Sequence, residues 1–231
     1  MNHIRSMKHV RVGTISSLLF LSAVSMAQTP APTRCSANPA EAWEQAQTAV
    51  KSGDAGRVML TLTPEKRARE SSSYAVGAHM VLSLSELAGD LSKKPDAARK
   101  AKEAEKKLSL ELDALLKKNK APSITQIGKP IMQRVYAPEV LKLFSSVDHV
   151  AFARDMEKFF VKVEAAAKDA GVKSESPPKL DELVVGFGTD LASPLGAPQT
   201  SGDTSNAVAG KTSIQFKKIS GCWLVDGRPE K

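Results

Sequence analysis

The chain has 231 residues, 33 Lys and Arg against 25 Asp and Glu, a formal net charge of +8 and 5% aromatic residues. That length suits one good-sized domain or two small ones. Its two cysteines lie far apart, and its four histidines include no His-Glu-x-x-His, so a zinc knuckle or a zinc hydrolase has nothing to be built from.

The N-terminus reads as an export leader. His3, Arg5, Lys8, His9 and Arg11 form a basic stretch, 13–24 an apolar run, and Ser25-Met26-Ala27 a small-x-small cleavage site before Gln28. The apolar run is about twelve residues, short of the roughly 20 that a membrane span needs. No cysteine sits at the junction to take a lipid, and there is no twin-arginine pair. Cleavage after Ala27 is therefore expected, giving a periplasmic or secreted domain over 28–231. The expected partition is 38–171 mainly helical and 180–226 a small antiparallel sheet.

The basic excess is local. Segment 93–120, opening on Lys93 and closing on Lys120, holds ten Lys or Arg against five acids and no aromatic. A nucleic-acid binder would interleave aromatics or loop arginines with such charge, so no nucleic-acid partner is expected. Asp96/Lys100, Glu103/Lys107 and Asp113/Lys117 stand four apart in the acid-before-base order, which predicts a solvated helix face laced by ion pairs. A weak contact of Lys93 to Lys120 with anionic envelope lipid is the competing expectation. Cys35 and Cys222, in an oxidising compartment, are expected to pair.

Taken along the chain, 28–37 is a Pro/Thr/Ala-rich lead-in. Asn38-Pro39-Ala40-Glu41 supplies an N-cap, a first-turn proline and a capping-box glutamate for a helix to Ser52, which Gly53 stops. Asp54 caps a short second helix with Val58, Met59 and Leu62. Thr63-Pro64-Glu65 opens a third, with Ala68, Ala75, Val76, His79, Met80, Leu84 and Leu87 inward. The fourth, 95–119, carries the stripe Ala97, Ala101, Ala104, Leu108, Leu112 and Leu115. Pro122, Gly128, Pro130 and Pro138 break 121–138 into a connector. A helix begins at Pro138, and Asp148 caps a longer one through Val150, Ala153, Met156, Phe160, Val163 and Ala167.

Segment 180–191 fits either a helix or a strand, and Gly186 and Gly188 favour the strand, since two glycines cost a short helix about 2 kcal/mol. Gly, Pro, Ser and Thr mark 193–205 as a mobile loop. Thr212, Ile214 and Phe216 then alternate with polar neighbours, Ser220-Gly221 makes a turn, and 222–226 returns as a second strand. The fold class is α+β, mostly helical with a small C-terminal antiparallel sheet.

Two stretches carry a likeness. Gly202-Asp203-Thr204, Ala207-Val208 and the hairpin from Ile214 through Phe216-Lys217-Lys218 to Gly221-Cys222-Trp223 resemble the closing strands of NTF2-like domains. The opening pair of helices, with Ser52-Gly53-Asp54 between them, is similar to that family's start. The resemblance implies an α+β cone whose tryptophan packs beneath the helices. The segment 64–171 departs from it and would be a helical insertion. It also implies a pocket for small apolar ligands, in some members an isomerase or dehydratase site using Asp, Tyr or His.

Tyr74, His79 and Tyr136 are the weak pocket candidates on that basis, with His149 a cap neighbour beside Asp148. No nucleophile elbow or phosphate loop occurs, and Gly186-Phe187-Gly188 lacks the third glycine and the helix start. No metal or cofactor is expected. The expected function is a non-catalytic exported protein that binds an apolar small ligand or a cell-envelope partner, and a pocket enzyme is the alternative.

Overall fold

The computed structural model describes residues 35–90, 95–127, 137–169 and 192–227. The expected leader at 1–27, Tyr136 and segment 180–191 lie outside them. The described residues belong to one compact unit and form seven helices followed by a four-stranded antiparallel sheet, which makes the fold α+β.

Helix α1, Pro39–Lys51, starts as its sequence dictates: Asn38 Oδ1 accepts from the Glu41 amide at 2.9 Å, and the Glu41 carboxylate returns to the Ala37 amide at 2.7 Å. Gly53, at φ +67°, turns the chain, and Asp54 caps α2, Ala55–Thr61, by accepting from the Arg57 amide. Next come α3, Pro64–Asp90, and α4, Pro95–Lys118. The expected connector 121–138 holds one helical turn, α5, Ile124–Ile127. Then follow α6, Pro138–Leu143, and α7, His149–Asp169, where Asp148 Oδ1 accepts from the Val150 and Ala151 amides.

Helix α3 is the axis, because α4, α6 and α7 all pack against it. Its buried residues include Ala68, Tyr74, Ala75, Val76, Ala78 and Leu82, together with the polar Glu70, Ser71 and Ser72. They cannot fall on one stripe when neighbours close on several sides, which is why a single predicted face does not describe this helix.

The sheet is a meander, β1 Gln199–Ser201, β2 Thr204–Ala209, β3 Thr212–Ile219 and β4 Cys222–Gly227, in that spatial order. Segment 193–205, expected to be a loop, holds β1, a Leu195–Ala209 bridge and the start of β2. The Gly196 amide bonds to the Val208 carbonyl at 2.7 Å, so this polar stretch is drawn into the sheet by backbone pairing rather than by side-chain pattern. The inner face buries Ala207, Ile214, Phe216, Trp223 and Val225. Phe216 meets Trp43 of α1 edge to face, with ring centroids 6.4 Å apart.

The free edge of β4 is covered by the N-terminal half of the chain. Its Trp223 amide donates to the Ser36 carbonyl and its Val225 carbonyl accepts from the Thr63 amide, each at 3.0 Å. Thr63 Oγ1 also donates to Asp226 at 2.6 Å, and Asp226 pairs with Lys217 at 2.7 Å. Beside these contacts Cys35 and Cys222 form a disulfide across 187 residues of sequence.

Closing so long a loop removes chain entropy from the unfolded state worth about 4 to 5 kcal/mol. The C35S/C222S variant is therefore expected to lose about that much unfolding free energy in urea denaturation. A midpoint unchanged from the oxidised wild type would show that the clasp contributes nothing.

Candidate functional site

Among the described residues, three places stand out as able to do chemistry or hold a ligand. The first is a buried polar nest where α2, α3 and α7 meet. Tyr74 is 1% exposed and its hydroxyl finds no hydrogen-bond partner. One turn earlier on the same helix, Glu70 is 3% exposed and pairs with Lys66 at 2.8 Å. Ser71 Oγ meets His149 Nδ1 at 2.9 Å, so His149 links α3 to the start of α7 rather than merely neighbouring its cap. Arg154 of α7 reaches over α2 to hold both oxygens of Asp54, at 3.2 and 3.3 Å. Gly56 makes room for this crossing, since a Cβ there would stand 2.6 Å from Arg154 Nε.

Burial is the main influence on the protonation of the nest's Tyr74, Glu70 and His149. Burial raises the Tyr74 phenol far above its ordinary range, and the charges of Glu70 and Glu157 add to the shift, so it stays protonated. Burial likewise raises Glu70, against the pull of Lys66. Burial lowers His149, helped by Arg67 and opposed by Asp148. For Asp54 burial is outweighed by the Arg154 and Arg57 hydrogen bonds, which hold its carboxyl low. His79 is half-buried on α3. The structure brings Tyr74 beside carboxylates but does not bring His79 to them.

The second place is a cleft of about 260 Å³ beside the disulfide, between α1, α2 and β4, lined by Ala42, Gln45, Leu60, Ile219, Trp223 and Leu224 among others. The third is larger, a groove of about 440 Å³ between α4 and α7. Neither is lined by Tyr74 or His79.

The groove follows from how the two helices face each other. They run antiparallel, and their ion pairs step at seven-residue intervals: Lys118 with Asp155 at 2.7 Å, then Glu111 with Lys162. Seven residues are two helical turns, so such pairs stack along one seam. One further step brings Ala104 opposite Asp169, and no ion pair ties the helices there among the described residues. Small Ala104, Ala165 and Ala166 leave the space open above Leu108, which is buried. Lys100 and Lys107 line the α4 side.

The charge pattern of α4 departs from expectation. None of Asp96/Lys100, Glu103/Lys107 or Asp113/Lys117 forms an ion pair; Asp96 instead reaches Arg99 at 3.8 Å. Glu111 and Lys118 pair across to α7. Sequence reasoning assigned Lys100 and Lys107 to a solvated face because both were counted as partnered within their own helix. The usable signal was the matching seven-residue, opposite-sign spacing of Glu111 and Lys118 against Asp155 and Lys162.

Two outcomes follow for the nest. Because the Tyr74 hydroxyl is buried without a partner, Y74F is expected to raise unfolding free energy by about 1 kcal/mol, read by urea denaturation; a loss of similar size would mean the hydroxyl is bonded. Glu70 and His149 should tilt stability oppositely between the ordinary glutamate and histidine ranges. A raised carboxyl makes the fold most stable below the unfolded glutamate pKa, and that stability is lost as pH rises through the folded value. A lowered imidazole contributes stability above the unfolded histidine pKa that is lost as pH falls through the folded value. In denaturation series from pH 4 to 7, E70Q should therefore gain relative to wild type with rising pH and H149Q with falling pH; parallel curves for all three proteins would refute both assignments.

No family model matches this chain, and neither a curated protein nor a solved structure matches it.

Proposed function

We propose that this is a non-catalytic exported protein, periplasmic or secreted, that binds a small apolar or amphipathic ligand in the groove between α4 and α7. The observation that carries the reading is the groove itself, of a volume within the usual range for small-molecule sites, with an apolar floor at Leu108 and alanine walls. Export is supported by the leader at 1–27 and by the Cys35–Cys222 disulfide, a bond at home in oxidising compartments. No described helix is long and apolar enough to cross a membrane.

The pocket-enzyme alternative, of isomerase or dehydratase type, would need a cavity reaching Tyr74 or His79 beside a carboxylate. Tyr74 does stand near Glu70, but its phenol is sealed and held protonated. The two stretches that resemble NTF2-like domains do pack together, α1 lying on β4. That contact supports an NTF2-like relationship for the ends of the chain, and the groove is then a property of the helical insertion.

Binding can be read with the neutral fluorophore N-phenyl-1-naphthylamine. Wild-type protein should enhance its emission saturably, and A165W, a substitution at an exposed wall residue, should reduce its affinity by about tenfold or more through steric filling. Equal binding by A165W would move the ligand site elsewhere.

A further inference from the structure

We infer that the groove selects amphiphiles carrying one negative charge, a single-tailed carboxylate above all, with the head held by Lys100 and Lys107 and the tail directed toward Leu108 and the Glu111–Lys162 pair. This rests on the groove reading above and adds the ligand's chemical class and its orientation.

At the inner end of the seam Lys162 is satisfied by Glu111, and beyond it Lys118 is satisfied by Asp155. These pairs leave that end of the groove close to neutral. Lys100 lies beyond Ala104 toward the outer end, Lys107 lies between Ala104 and Leu108, and the carboxylate that lines this stretch with them is Asp169. Neither lysine has an ion-pair partner among the described residues, and both are exposed, so the lining here carries two cations against one anion. An anionic head can take up that excess through charge-assisted hydrogen bonds.

Geometry fixes the rest. From Lys100 to Glu111 is roughly 16 Å of helix at 1.5 Å per residue. Ala104, Ala165, Ala166 and Leu108 lie along this length and give a tail an apolar track, with Lys107 at its side between Ala104 and Leu108. Each methylene that enters gains free energy by leaving water. A volume of about 440 Å³ matches one short tail and not the paired tails of a phospholipid. The occupant is accordingly a free monomeric amphiphile and not a bilayer surface.

The test compares three probes with the same tail, decanoate, decanol and decyltrimethylammonium, by displacement of N-phenyl-1-naphthylamine from full-length mature protein. Wild type should bind decanoate at least about tenfold more tightly than the other two. The K100Q/K107Q variant changes exposed residues only and should lose that preference while keeping its decanol affinity. Raising salt should weaken decanoate binding and leave decanol unaffected. If all three probes bind wild type equally and A165W abolishes them, the selection for an anionic head is wrong and the groove reading stands. Binding of all probes that A165W leaves untouched would overturn both. Sedimentation with phosphatidylglycerol vesicles that depends on Lys100 and Lys107, without decanoate binding, would overturn the inference in favour of a membrane contact.

Discussion

The outer edge of β4 is where sheet and helices become one body. An edge strand presents unpaired amides and carbonyls that must find partners or remain open to foreign strands. Here Ser36 takes one position and Thr63 another. Both partners come from the N-terminal half of the chain, so the edge can be satisfied only after the first and last quarters have met. The Trp43–Phe216 contact fills the space behind that edge, and the Cys35–Cys222 bond holds its outer margin. Thr63 adds a further coupling: it caps the start of α3 through the Lys66 amide while donating to Asp226 of β4. The central helix is thus aimed from the sheet.

With α3 aimed in this way, the remaining helices settle around it, and the polar groups it carries inward must be accommodated. Glu70 takes Lys66 from its own helix, and Ser71 takes His149 from α7. The Arg154–Asp54 fork ties α7 to the beginning of α2, past Gly56. These contacts orient α7, and burial drives each titratable member toward its neutral form unless a fixed partner opposes it. The Tyr74 hydroxyl and Arg67 Nε are buried without a hydrogen-bond partner among the described residues.

Helices α4 and α7 then meet at a seam whose inner part is zipped by charge and whose outer part is not. The difference comes from side-chain size: where Ala104 faces Ala165, Ala166 and Asp169, no long side chain spans the gap. The same seam thereby provides both a charge-zipped helix pair and an apolar opening beside Lys100 and Lys107, which have no ion-pair partner among the described residues.

Local chemistry was enough to place many elements from the sequence. Asn38 with Glu41, Asp54 and Asp148 mark helix starts through side-chain hydrogen bonds made within three residues, and the Ser220-Gly221 turn with its alternating flanks marks the last hairpin. The two cysteines were legible because only one pairing exists. Tertiary structure decided what depends on non-local partners. Segment 193–205 becomes sheet because Ala209 and Asn206 are there to pair with it. Helix α3 buries polar residues because it is surrounded, and His149 finds Ser71 across 78 residues of sequence. The lysines of α4 were read within their own helix, where charges four apart look paired; only the arrival of α7 settled which were neutralised and which were left facing an open groove.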